Sequence, residues 1–249
     1  MDEQQVAALL EKAGAVVPGH FVGTNGNHLS KYVAKDRAIC RPSVVSQLCE
    51  GLARRYALAD IDVVVSPAVG AIALAQWIAH HLTRLCPQQP EVLAVYAEPH
   101  DDTLLAPRKE ENQVWLDFGT GTRRLLFAGE KLLVRRPQFV LKRGFGADVR
   151  GKRTLVAEDT ITTGGTARES VRAVRQAGGF VVGVAALAIS EGITHETCDA
   201  PCLSAGMTIV RETYTEEECA RHGMCAAGIA IDTQYGHGVE FLRRKGRGA

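Results

Sequence analysis

The 249-residue sequence contains no apolar run long enough to span a bilayer. Its first residues, Met1-Asp-Glu-Gln-Gln5, lack the basic n-region of a secretory signal. No membrane association is expected, and a cytoplasmic location is. Net charge is scarce as well: 29 basic against 28 acidic residues leave a formal +1. So small an excess speaks against a nucleic-acid partner held by bulk electrostatics. A disulfide framework is also missing, because seven cysteines is an odd number in a chain of this size. There are no internal repeats or low-complexity tracts. What remains, at 46% hydrophobic and 23% charged residues, is an ordinary globular composition sized for one large α/β domain, with room for a subdomain.

Cys40, Cys49 and Cys86 lie in or near helical patterns and read as buried thiols. The other four gather late, as Cys198 and Cys202, then Cys219 and Cys225 with His222 between them. Thiols and imidazole suit zinc, but these spacings are wider than the usual two-residue knuckle. Reduced structural cysteines are the expectation, with no metal ligand assigned. Among the histidines, His80 and His81 end a helical pattern, where positive charge suits the dipole. His100-Asp101-Asp102 reads as a solvated loop, and His195 and His237 carry no legible signal.

The hydrophobic spacing predicts a short amphipathic helix over 6–13 ending at Gly14, a polar turn-rich segment over 21–33, and a helix over 42–57 with Pro42 in its first turn. An apolar strand over 62–66, a turn at 67–70, a helix over 71–82 and a strand over 91–98 make a βαβ unit. Another strand opens at Thr154, a helix follows to about Ala177, and a buried strand covers 180–188. The fold class is therefore α/β, with a doubly wound, mostly parallel sheet. Residues 99–140 break the rhythm. The runs 113–118, 123–127 and 131–134 look like an inserted β-rich meander, with a hairpin turn at Gly119-Thr-Gly-Thr122. Arg108-Lys-Glu110 reads as a charged, solvated turn, and the tail from Arg243 as a frayed end.

The richest stretch is Thr154-Leu-Val-Ala-Glu-Asp-Thr-Ile-Thr-Thr-Gly-Gly-Thr166. A buried-strand run ends in Glu158 and Asp159, and the loop Thr160, Ile161, Thr162, Thr163, Gly164, Gly165, Thr166 opens into a helix. The carboxylates can accept hydrogen bonds from neighbouring ribose hydroxyls. The loop and helix start offer N–H groups, hydroxyls and a positive dipole end to a phosphate. Thr166 and Glu169 also fit a capping box.

This stretch resembles the phosphoribosyl-diphosphate (PRPP) motif of the type I phosphoribosyltransferases, and four further segments resemble the orotate phosphoribosyltransferases among them. Phe21 to Lys35, with Asn25-Gly26, Ser30 and Tyr32, looks like their N-terminal hood. Ser66-Pro-Ala-Val-Gly-Ala71 is similar to their diphosphate loop. Leu141-Lys-Arg-Gly-Phe145 is similar to a segment found before the motif in one branch, and Tyr214-Thr-Glu-Glu-Glu-Cys219 with Cys225 to a segment near that branch's C-terminus.

The resemblance implies a single domain over 1–249, with a hood over 1–41 and an insertion over 99–140. It implies transfer of the phosphoribosyl group from PRPP to a nucleobase, orotate first, with Mg2+ as cofactor and a homodimer as the assembly. Glu158, Asp159, Lys142 and Arg143 would be catalytic, and residues 158–166 would bind PRPP. Pro67, Ala68, Val69 and Gly70, with Lys142 and Arg143, would bind the diphosphate. His28, Lys31 and Ser190 would face the base. Two departures keep alternatives open. The usual loop with a mobile lysine is not reproduced after Arg108-Lys-Glu110. Ile189-Ser190 also stands where the family carries Asp-Arg, whose arginine meets the orotate carboxylate. A phosphoribosyltransferase for another base, or a PRPP-sensing regulator without turnover, are the other readings.

Overall fold

The computed structural model describes residues 1–23, 25–99 and 139–246, and the backbone of five short strands between 103 and 134. The chain opens with α1 (Glu3–Lys12), which starts earlier than its apolar spacing indicates. Asp2 caps it by accepting from the Gln5 amide, while the Gln5 side chain accepts from the Asp2 amide. Strands β1 (Val16–Val22) and β2 (His28–Val33) form an antiparallel hairpin with a register shift between Pro18 and Phe21. Next come α2 (Asp36–Ile39), α3 (Pro42–Arg54), β3 (Val63–Pro67), α4 (Ile72–Leu85) and β4 (Leu93–Pro99).

Between 100 and 138 lie β5 (Thr103–Leu104), β6 (Arg108–Glu110), β7 (Gln113–Asp117), β8 (Arg123–Leu126) and β9 (Leu133–Val134). β6, β7 and β8 form an antiparallel sheet, and β5 pairs with β9. Residues 108–110 are therefore a strand, not the expected turn: Arg108 sits opposite Trp115 and Glu110 opposite Gln113. The turn expected at 119–122 and the trio 100–102 lie outside the described residues.

The chain then adds β10 (Phe139–Val140), α5 (Phe145–Val149), β11 (Arg153–Ile161), α6 (Gly165–Gln176), β12 (Phe180–Ser190), β13 (Leu203–Ile209), β14 (Thr213–Tyr214), α7 (Glu216–His222) and α8 (Gly238–Arg244). The segment from Arg243, expected to fray, is helical through Arg244. Arg244 and Lys245 both pair with Glu216.

The central sheet has the order β10-β4-β3-β11-β12-β13 and is parallel except where β10 meets β4. Alternate residues of its inner strands face opposite sides. Val64, Leu155, Ala157, Ala185 and Leu187 pack beneath α1, α3 and α4. Val63, Val65, Val156, Val184 and Ala186 pack with Ala167, Val171 and Val174 of α6. Helices thus cover both faces, which is why these strands read as continuous apolar runs. Cys49 and Cys86 are buried as expected, but Cys40 is exposed just past α2. A second sheet, β1-β2-β14, is antiparallel and joins both ends of the chain. Among the described residues no helix is long and apolar enough to cross a membrane.

Candidate active site

A cavity of about 710 Å3 lies between the antiparallel sheet and the carboxyl ends of β11, β12 and β13. One wall is Thr160, Thr162, Thr163 and Thr166, and the facing wall includes Leu29, Tyr32 and Lys35. The carboxyl end of a parallel sheet, where a strand turns into a helix, is the expected place for a ligand in such a fold. The turn into α6 depends on Gly164, the helix N-cap, at φ 76°. A Cβ there would lie 2.7 Å from Thr197 Cγ2 and 2.9 Å from the Thr197 carbonyl oxygen. Arg168 clamps that same carbonyl through Nη2 at 2.8 Å, so the loop after β12 buttresses the hydroxyl loop. The capping box expected at Thr166 and Glu169 does not form. The helix begins at Gly165, no side chain caps it, and Glu169 pairs with Arg172. The first amides of α6 thus remain available to an anion, with Thr166 on the cavity wall.

Glu158 and Asp159 are both buried at the end of β11. Burial, with help from the neighbouring Asp159 charge, pushes the Glu158 carboxyl up to about 8, against a smaller opposing pull from Lys35. Glu158 Oε2 has no hydrogen-bond partner among the described residues. Asp159 instead holds Lys35 in an ion pair and accepts from the Thr160 amide. Burial alone would lower the Lys35 ammonium, but the Asp159 carboxylate outweighs it and the pKa is raised. Lys35 therefore keeps its charge on the cavity wall, whereas Glu158 and Asp159 are not among the residues that line it.

The loop after β3 abuts this pair. A Cβ on Gly70 would fall 2.3 Å from Asp159 Oδ2 and 3.2 Å from Lys35 Nζ, so only glycine admits the approach. Pro67 is buried at the strand end, Val69 is exposed, and the Ala68–Val69 peptide is cis. The Ala68 amide donates to the Ala97 carbonyl, 2.8 Å away.

The other expected site residues fall in different places. Ser190 lines the cavity, and its buried Oγ has no partner among the described residues; the same holds for Thr160 Oγ1. Lys31 is exposed and is not among the cavity-lining residues. Lys142 and Arg143 gather on Glu98, with Arg143 Nε 2.6 Å and Lys142 Nζ 3.7 Å from its carboxylate, and they do not line the cavity within this chain. His28 is a correction. It is fully buried, its Nδ1 faces His20 Nε2 at 2.6 Å, and its ring stands edge-on to Phe241. A strand residue pointing into that packing cannot reach a base in the cavity. The late cysteines also separate. Cys198 is buried in the core around α6 and Cys202 lies beside the Tyr56 hydroxyl, whereas Cys219 and Cys225 approach His20 and His28.

Sequence reading passed over two groups on the wall, Arg211 and His237. Arg211 follows the end of β13, and burial lowers its pKa while the nearby Tyr32 opposes that shift. Its Nη1 donates to the Lys31 carbonyl at 3.4 Å. A lone arginine just past an unassigned strand gave no local signal; only the pairing of β13 with β12, which sets Ile209 opposite Ser190, brings it to the same cavity as Ser190.

No family model matches the chain. It is 30% identical to an orotate phosphoribosyltransferase of Pelotomaculum thermopropionicum over 235 residues, covering 92% of this chain and 95% of that protein. With the orotate phosphoribosyltransferase of Caldicellulosiruptor bescii it shares 26% identity over 231 residues, 93% of this chain and 96% of the relative. In structure it is similar to orotate phosphoribosyltransferase from Aeropyrum pernix, with a TM-score of 0.54 at 22% identity over 82% of this chain and 93% of that one, which speaks to the fold alone. With 30% identity over nearly the whole of both chains, the protein belongs to the orotate phosphoribosyltransferase family.

Proposed function

We propose that this protein transfers the 5-phosphoribosyl group of PRPP to orotate, forming orotidine 5′-phosphate and diphosphate, a step of pyrimidine nucleotide synthesis. The observation that carries the reading is the β11–α6 junction, where a buried carboxylate pair leads into a hydroxyl-rich, uncapped helix start on the wall of a single cavity. The amides and hydroxyls of 162–166 bind the 5′-phosphate. Glu158 and Asp159 hold the ribose hydroxyls, and the Asp159 carboxylate stabilises positive charge on the sugar as C1 loses diphosphate, while Glu158, pushed up to about 8, keeps its proton at neutral pH. Lys35 and the amides of Val69 and Gly70 meet the negative charge that grows on the leaving group, with Pro67 and Ala68 shaping that loop, and Lys142 and Arg143 serve the diphosphate from the partner chain of a homodimer.

Carboxyl oxygens, one of them buried and unpartnered, fit a hard cation that prefers oxygen. Glu158 and Asp159 are the residues that would face Mg2+, which when bound would supply charge neutralisation for the diphosphate. Arg211 in the same cavity as Ser190 supports orotate as the base, since a carboxylated ring needs a cationic partner that Ser190 alone does not provide. Residues 1–41 act as a hood over this site, 99–140 as an insertion in the one domain, and the cytoplasm is where the substrates meet the enzyme.

The test is diphosphate and nucleotide release from PRPP and Mg2+ with orotate, then with other bases. Orotidine 5′-phosphate formation that falls by about two orders of magnitude or more in Asp159→Asn supports the reading. Turnover with another base but not orotate overturns the choice of substrate, and PRPP binding without turnover on any base overturns the enzyme.

A further inference from the structure

Outside the cavity, four side chains from distant parts of the chain meet at one point. His20 is on β1, His28 on β2, Cys219 on α7, and Cys225 on the turn that follows. Their donor atoms all lie within 4.8 Å of one another. His20, His28 and Cys219 are buried and Cys225 is partly so.

Three of the separations match the edges of a tetrahedral site. Bonds of about 2.3 Å to sulfur and about 2.05 Å to nitrogen require sulfur–nitrogen edges of about 3.6 Å and a nitrogen–nitrogen edge of about 3.4 Å. Cys219 Sγ lies 3.7 Å from His20 Nε2, and Cys225 Sγ lies 3.8 Å from His20 Nε2 and 3.6 Å from His28 Nδ1. The two nitrogens, at 2.6 Å, stand closer than a bound ion would hold them, and that edge must open on binding.

The surroundings orient the donors. His20 Nδ1 is 2.7 Å from the Ile229 carbonyl, an acceptor, so the proton belongs on Nδ1 and the Nε2 lone pair points inward. The Cys225 amide donates to Cys219 Sγ at 3.3 Å, the kind of contact that steadies a thiolate. A Cβ on Gly223 would meet Cys219 Cα at 2.8 Å and Sγ at 3.1 Å, so glycine is what lets the turn fold back over the thiol. Phe241 covers His28 edge-on, its ring centroid 5.0 Å away, and Met224 is buried beside Cys225. Four donor atoms brought from distant segments to one point beneath Phe241 and Met224 are placed where a bound cation would be kept from water.

We propose that His20, His28, Cys219 and Cys225 form a closed, structural zinc site that ties the β1–β2 hairpin to the segment after β14. Two imidazoles and two thiolates are a zinc set in softness and number, and four protein ligands leave no position for substrate. Binding releases the two thiol protons. The clamp fixes the hairpin that supplies Leu29 and Tyr32 to the cavity wall, so the site shapes the cavity without entering the chemistry.

Untagged protein purified without chelators, analysed for metal, is expected to carry about one zinc per chain. The Cys219→Ser/Cys225→Ser double variant is expected to lose it, and Cys202→Ser to keep it. Cobalt exchange of the wild-type protein gives the second readout, needed if the double variant fails to fold: thiolate-to-cobalt charge-transfer bands with visible bands of tetrahedral intensity. Protein with substoichiometric zinc whose cobalt form lacks thiolate bands overturns the site, and so does zinc retained in the double variant. Neither readout depends on turnover.

Discussion

At the residue scale, two side chains carry distinct expectations. Arg211 lines the same cavity as Ser190, two residues past Ile209, which pairs with Ser190. Its replacement by methionine should raise KM for orotate about 10- to 100-fold and change KM for PRPP much less. Steady-state kinetics with each substrate varied decide this; equal changes in both would remove Arg211 from the base. Glu158 makes a claim about pH. Its folded carboxyl titrates near 8 and its unfolded one near the usual 4.5. Between those values the folded state holds a proton that the unfolded state has released, so stability falls as pH rises through the window. The upper bound on this loss is roughly 3–5 kcal/mol. Glu158→Gln cannot lose the proton. Its melting temperature should therefore match the parent near pH 4.5 and exceed it at pH 8, and a parallel pair of melting curves from pH 5 to 9 would refute the shift. The acidic pair was legible because it sits in a contiguous motif. Arg211, and the approach of His20 to Cys219 across 199 positions, were not, because no local pattern encodes them.

At the scale of elements, the hydroxyl loop is held by its glycine. Gly164→Ala places a methyl against Thr197 in a left-handed backbone, a strain of about 1–3 kcal/mol. It should weaken PRPP binding and lower the melting temperature. Adding Thr197→Ala removes the Cγ2 contact but not the carbonyl at 2.9 Å, so the double variant should stay impaired. Calorimetric PRPP titration of both variants checks this, and full rescue would show that the side chain alone sets the fit. The strand, loop and helix around this glycine could be read from sequence because burial, turn chemistry and amphipathic spacing agree over one stretch. β13 was not read. Its Leu203-Ser-Ala-Gly-Met-Thr-Ile209 mixes small, polar and apolar residues at a sheet edge, where one neighbour and partial burial suffice. Arg108–Glu110 was misread because three charged residues suit a solvated turn, whereas pairing with β7 makes them a strand.

At the scale of the whole molecule, Lys142 and Arg143 pose the sharpest question. Within one chain they are drawn to Glu98 by ion pairs and lie off the cavity wall, yet the leaving diphosphate needs cations. A homodimer resolves this if each chain's 142–143 segment serves the other's cavity, and the arrangement has an arithmetic signature. Consider chains carrying Asp159→Asn co-expressed with chains carrying Lys142→Ala/Arg143→Ala, each variant inactive alone. In a mixed dimer, the cavity with an intact Asp159 receives an intact cationic segment from its partner, and the other cavity receives neither. Random pairing makes half the dimers mixed with one working cavity in two, so about a quarter of the parental activity per chain should return. If the segment serves its own chain, no cavity in any dimer holds both parts and activity stays at the level of the separate variants. Measured per chain on the whole co-expressed population, with the oligomeric state fixed by sedimentation, recovery near a quarter assigns the segment in trans. Its absence returns the diphosphate to Lys35 and the 67–70 loop of the same chain.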